Sequence, residues 1–216
     1  MTTPIIVTTA ITGSQPRKKD NPALPVTPSE QIESTHEAFE AGSSLVHIHV
    51  RDSQEDSSSD PDLFSEVQEG IKKHCPNMII QFSTGGRGRA ASLRGGMLYL
   101  KPDMASLATG SVNFPGMIYE NPPQLIDELA GEMKVYGVKP EIEVFDAAML
   151  YNAIKMSESG AISSPIHVQF VLGIPGAMPV RRKLLEFLID ELASLAPGAT
   201  WSAMGIGRNQ FEVNKW

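Results

Sequence analysis

In the stretch LVHIHVRD, residues 45–52, His47 and His49 stand one residue apart among aliphatic side chains. On a β-strand, residues two apart project to the same side. The two imidazoles would therefore share a face with Leu45 and Arg51, while Val46, Ile48 and Val50 take the other. Imidazole nitrogens placed this way can both reach one zinc ion, which then needs one or two further ligands from other strands. The alternative is a pair of core histidines satisfied by neighbouring hydroxyls and carboxylates. The His-x-His spacing at the exit of a strand favours the metal.

Other residues could share that chemistry. Glu141 and Glu143 in PEIEVF lie on one face of their strand, and a carboxylate facing an interior needs a cation, a metal or a set of donors. Glu143, nearer the C-terminal end, is the better candidate for a site; Glu141 reads as structural and His167 as a satisfied core histidine. QFSTGG (81–86) ends a strand with Ser83, Thr84 and two glycines. Glycines permit close backbone approach, and their exposed N–H groups can hold an oxyanion or a carboxylate. Arg87 and Arg89 follow, with Arg94 farther on; arginines there can bind carboxylates or phosphates. An ordinary tight loop with solvated arginines would look the same. Cys75 precedes a strand and is expected to be inert.

The elements that must position these groups alternate. Short apolar or β-branched runs occur at 4–10, 44–50, 77–83, 103–109, 140–145, 165–173 and 199–205. Helix-like stretches cover 27–42, 60–75, 122–137, 146–160 and 180–196. The first is well marked: Thr27 and Glu30 have capping-box spacing, Pro28 sits at the start and Gly42 at the stop. Strands alternating with helices imply parallel βα units. An open doubly wound sheet lacks support because STGGRGRAAS has no G-x-G-x-x-G spacing leading into a helix. A (β/α)8 TIM barrel fits better, since polar residues at strand C-terminal ends would converge on one face. With about seven strands, the chain is expected to be a single barrel domain over 1–216 that lacks its last βα unit, with GRNQFEVNKW opening a helix cut off midway.

Composition narrows the function. A net charge of −7 argues against a nucleic-acid binder, which needs a basic face for phosphates. No apolar run approaches the roughly 20 residues that cross a bilayer. The N-terminus lacks a basic region leading into an apolar core, and the lone Cys75 cannot form an internal disulfide. A cytoplasmic protein is the expectation.

Taken together, VTTAITGS, NPALPVTPSEQ, GSSLVHIHVRD, IIQFSTGG, KPDMASLATGSVNF, KPEIEVFD, HVQFVLGIPG and GIGRNQF resemble the β-keto acid cleavage enzymes, over nearly the whole chain and in the family's order. The resemblance implies a zinc-dependent (β/α)8 barrel, usually a homotetramer. Its substrates would be a β-keto acid and acetyl-CoA, and its products acetoacetate and a new acyl-CoA formed by a retro-Claisen break. By resemblance His47 and His49 match the zinc-binding histidines, and Ser83, Thr84 and Gly86 match positions holding the substrate carboxylate or polarised oxygens. Ser106 stands where a threonine lines the same pocket, and Glu143 aligns with an acidic residue close to the catalytic cluster. Glu143 and Ser83 are the catalytic candidates.

Two departures shape the expectation. Gln15 stands where a family member acting on an amino keto acid carries a glutamate, and Ala108 where it carries an asparagine. A neutral Gln15 does not reward an amine, so with Arg87 and Arg89 nearby a neutral or second-carboxylate-bearing keto acid is expected. The family also draws a third zinc ligand, a catalytic aspartate and a substrate-binding arginine from around its eighth strand, and nothing in this sequence matches those three. The chain reads as C-terminally truncated. The alternatives are a metal-dependent amidohydrolase-type barrel, which puts His-x-His on its first strand and needs further histidines and often a lysine, and an inactive fragment that associates with full-length subunits.

Overall fold

The computed structural model describes residues 5–86 and 90–216. The chain divides into two compact units: Met1–Ala105 with Tyr136–Val138, and Ser106–Val135 with Lys139–Trp216.

In the first unit, β1 (Thr8–Ala10), β2 (Leu45–Ile48), β3 (Ile79–Phe82) and the start of β4 (Met104–Ala108) lie in that order. Successive pairs are parallel, with His47 opposite Gln81 and Phe82 opposite Ala105. Helix α1 (Pro28–Glu40) crosses from β1 to β2, and α2 (Pro61–His74) from β2 to β3. The capping box forms: Thr27 Oγ accepts from Glu30 N–H, and the Glu30 carboxylate accepts from the Thr27 amide. Gly42, at φ +100°, then turns the chain out of the helix, a conformation that costs glycine little. Alternate β2 and β3 residues (Val46, Ile48, Ile80, Phe82) pack on Phe64, Val67 and Ile71 of α2 to make this unit's core.

The second unit holds the rest of β4 followed by β7 (Lys139–Val144), β8 (His167–Leu172) and β9 (Thr200–Gly205), with β7, β8 and β9 parallel. Between β4 and β7 come a hairpin, β5 (Val112–Phe114) with β6 (Met117–Tyr119), and helix α3 (Pro123–Tyr136). Helices α4 (Ala147–Glu158) and α5 (Arg182–Leu195) provide the next crossovers, and α6 (Gln210–Lys215) follows β9. Since β4 belongs to both units, the sheet has seven strands: an α/β fold of the TIM-barrel-like class.

All seven expected strands and all five long helices form, most of them a few residues shorter at their ends and β7 shifted by one residue. Two features differ. The hairpin was not expected; Pro115–Gly116 makes its turn, with Gly116 at φ +78°. The described connection from β3 to β4 has 3-10 turns at Ala91–Leu93 and Leu98–Leu100, because Gly95 and Gly96 between them disfavour a continuous helix. No helix of the described residues is long and apolar enough to cross a membrane.

Candidate active site

Strand β2 ends at Ile48, so His47 is its penultimate residue and His49 lies just past its end. Two contacts hold this exit. The buried Gln31 of α1 donates Nε2–H to the carbonyl of His49 at 3.1 Å, and the amide of Ser83 donates to the carbonyl of Ile48 at 3.0 Å. Both imidazoles are half-buried and face each other, with Nε2 of His47 and Nε2 of His49 3.1 Å apart. The ring planes meet at 65°.

The other nitrogen of His47 sets its protonation. Nδ1 contacts Oε1 of Gln81, its register partner on β3. A carbonyl oxygen only accepts, so Nδ1 carries the proton and neutral His47 presents a bare Nε2 lone pair towards His49. That is the tautomer a metal-binding histidine adopts when its outer nitrogen donates to a carbonyl.

The pair fits a divalent ion as two of its ligands. Nitrogens bound to one tetrahedral zinc at 2.0–2.1 Å lie roughly 3.3–3.4 Å apart, close to the 3.1 Å between these rings. Among the described residues, no group of three or more His, Cys, Asp or Glu side chains is disposed to hold a metal.

Beside them, β3 runs into the STGG turn. Ser83 and Thr84 are buried, and Ser83 Oγ accepts from the Gly85 amide at 3.2 Å. Arg94, fully buried, donates Nε–H to the Thr84 carbonyl at 2.7 Å. A Cβ on Gly86 would fall 2.8 Å from Arg94 Cδ, so only a glycine fits against that side chain without a shift. Arg94 thus backs the turn from behind. Arg87 lies outside the described residues.

Gln15 is exposed, on a loop that with the 52–57 turn lines an open cavity of about 610 Å³. Its walls include Arg17, Asp20, Asp56 and Ser57. Arg17 and Asp56 form an ion pair, and that hydrogen bond raises the guanidinium's pKa above its ordinary value.

In the second unit, Ser106 is fully buried on β4, and Glu143 on β7 stands opposite Gln169 of β8. Two residues earlier on the same face, Glu141 is opposite His167, whose Nε2 stands 3.3 Å from the buried carboxylate. Nδ1 of His167 meets Thr200 Oγ at 2.8 Å on β9. The approach is that of an ion pair and not a hydrogen bond: His167 Nε2 and both Glu141 carboxylate oxygens are buried without a hydrogen-bond partner among the described residues.

The structure brings together His47, His49, Ser83, Thr84 and Gly86 at the ends of β2 and β3, while Ser106 and Glu143 belong to the second unit. Gln81 emerges as a support that residue types alone did not single out, and Arg94, expected as a candidate anion binder, is buried and donates to the Thr84 carbonyl. Gln81 carried one signal, a polar side chain inside the apolar run IIQF.

The profile of the beta-keto acid cleavage enzymes matches residues 4–216. The chain is 58% identical over 216 residues to a 3-oxoadipate:acetyl-CoA acetyltransferase of Cupriavidus necator, covering 100% of this chain and 76% of that protein. It is 37% identical over 211 residues to the 3-keto-5-aminohexanoate cleavage enzyme of Acetoanaerobium sticklandii, covering 97% of this chain and 76% of that one. Among solved structures, ObcA in a binary complex with oxaloacetate superposes with a TM-score of 0.75 at 24% identity, covering 85% of this chain but 52% of ObcA, a likeness of fold. With a matching profile over nearly its full length and a relative at this level of identity, the chain belongs to the beta-keto acid cleavage enzyme family.

Proposed function

We propose that this chain is a zinc-dependent acyltransferase that cleaves a β-keto acid bearing a second carboxylate, with acetyl-CoA as co-substrate. The observation that carries the substrate class is the 58% identity to a 3-oxoadipate:acetyl-CoA acetyltransferase, together with the neutral Gln15 at the position expected to reward an amine. In the reaction a proton leaves the carbon between the keto group and the proximal carboxylate. That carbon bonds to the acetyl carbon as the thiolate of CoA departs. The CoA thiolate then adds to the original keto carbon, and the bond from that carbon to the acetylated carbon breaks. The two-carbon fragment with its acetyl group takes back a proton and leaves as acetoacetate, and the remaining acyl group stays on CoA as its thioester. A six-carbon keto dicarboxylate yields a four-carbon dicarboxylic acyl-CoA.

His47 and His49 would hold the zinc, which when bound supplies Lewis acidity towards the keto acid's oxygens. Gln81 keeps His47 in the tautomer with Nε2 bare. Ser83, Thr84 and the Gly86 backbone would hold the proximal carboxylate or a developing oxyanion, and the buried Arg94 keeps that turn from yielding. By resemblance, Ser106 is assigned to a position that lines the family's pocket and Glu143 to an acidic residue close to the family's catalytic cluster. Gln15 and Arg87 are assigned to the distal end of the substrate, where an amide and a guanidinium suit a carboxylate. A cytoplasmic homo-oligomer, a tetramer, completes the reading; sedimentation of the purified chain tests the assembly.

The decisive assay incubates the 216-residue chain with zinc, acetyl-CoA and either 3-oxoadipate or an amino β-keto acid, and follows acetoacetate. Acetoacetate from the dicarboxylate, at least tenfold faster than from the amine, is expected. Preference for the amine refutes the substrate class, and acetoacetate from neither refutes the activity for this chain.

A further inference from the structure

Arg51 follows His47 and His49 at the same two-residue spacing, three residues past the end of β2, yet none of the chemistry above uses it. It is 3% exposed, and burial holds its pKa below the ordinary guanidinium value. Both terminal nitrogens are given to backbone carbonyls rather than to a carboxylate. Nη1 donates to Glu55 O at 2.6 Å and Nη2 to Gly13 O at 2.7 Å, while Nε is buried with no partner among the described residues. A planar fork that reaches two carbonyls on two different loops is a task for which lysine has no equivalent.

The two loops so joined are the one carrying Gln15 and the 52–57 turn. The turn is internally built: Asp52 Oδ1 accepts from the amides of Gln54 and Asp56 at 2.8 and 2.9 Å. Glu55 is held at φ 64°, a left-handed conformation unfavourable for a residue with a side chain. That geometry directs its carbonyl to Arg51 and its carboxylate to the Lys18 amide, at 2.8 Å. Ser57 Oγ donates to Ser14 O at 3.0 Å, and Arg17 Nη1 donates to Gln54 O at 2.7 Å. Gln15 is therefore bracketed by tethered neighbours, Gly13 and Ser14 before it and Arg17 and Lys18 after it. Its own side chain is exposed at the cavity.

We infer that Arg51 is a positioning residue for substrate selection: it staples the Gln15 loop to the 52–57 turn and so determines where the Gln15 amide meets the distal end of the keto acid. This rests on the reading of Gln15 as substrate-facing.

The test has two arms. In the first, amide hydrogen exchange compares the wild-type chain with Arg51→Lys. Residues 13–18 exchange at least tenfold faster in the variant, with β8 amides unchanged. In the second, calorimetry without acetyl-CoA measures the affinity ratio of 3-oxoadipate to an amino β-keto acid in wild type, Gln15→Glu, Arg51→Lys and the double variant. Gln15→Glu moves the ratio towards the amine by about tenfold in wild type and by less than threefold in the Arg51→Lys background, a coupling that a merely structural role would not produce. An equal shift in both backgrounds, or unchanged protection at 13–18, overturns the proposal. Should Arg51→Lys fail to fold, Ser57→Ala severs a second tie to the same loop, and unchanged exchange at 13–18 there overturns it as well. If the wild type binds neither keto acid, the substrate reading falls while the exchange arm still decides the staple.

Discussion

Gln81 faces His47 across paired strands β2 and β3, and its amide oxygen accepts the Nδ1 proton of the imidazole. The contact makes Gln81 the residue that decides which nitrogen of His47 is free. Outer partners of metal-binding histidines typically affect affinity by about 10–100-fold. Gln81→Leu is therefore expected to weaken zinc binding by about that factor, and His47→Ala/His49→Ala to abolish it. Zinc titration by calorimetry, with elemental analysis of the dialysed chain, checks both. Equal affinity in Gln81→Leu and wild type would remove the orienting role.

The STGG turn has little slack. A Cβ at Gly86 falls 2.8 Å from Arg94 Cδ, and Arg94 cannot swing aside because it is buried and its Nε is bound to Thr84 O. Gly86→Ala should destabilise the chain by about 1–3 kcal/mol through overpacking. Urea denaturation midpoints measure this. Gly131→Ala, where nothing lies within 4 Å of the added carbon, is the control expected to be neutral or stabilising.

Acid should weaken the start of α1. The Lys18 ammonium, 2.6 Å away, and the amides of Thr27 and Val26 hold the Glu30 carboxyl down from 4.5 to about 2. A depressed folded-state pKa means the contribution is fully present above pH 4.5 and is lost as pH falls towards about 2. Glu30→Gln should cost about 0.5–1 kcal/mol at pH 7, the scale of a cap and a half-exposed ion pair. Its stability should converge with wild type at the acid end of that window. A constant gap across the titration would contradict the assignment.

Cys75, at the C-cap of α2, is 1% exposed, and burial pushes its thiol pKa up. Thiolate is the reactive form. Alkylation by iodoacetamide at neutral pH should therefore be slow in the folded chain and reach free-cysteine rates only in denaturant. Rapid modification of the native protein would show that the α2–β3 corner opens.

Much of this architecture was legible because it is local. The capping box at Thr27 and Glu30 and the alternating β2 residues state their roles within a few positions. The hairpin around Pro115–Gly116 was legible in principle from its turn dipeptide, but its three-residue strands are too short for alternation to register. The roles of Gln81 and Arg51 were not legible, and Arg94 was read for an anion where it meets the Thr84 carbonyl, since a glutamine in an apolar run or an arginine in a loop has no assigned partner until the strands are in register.

The sequence by itself determined the order of strands and helices, the common face of His47 and His49, and membership of the family, because residue periodicity and motif order are properties of the chain. The tertiary structure alone decided that His47 meets Gln81 34 residues away and that Arg51 reaches Gly13 across 38. Strand register and loop packing bring such groups within hydrogen-bonding distance, and no local pattern encodes which of the available polar groups will meet.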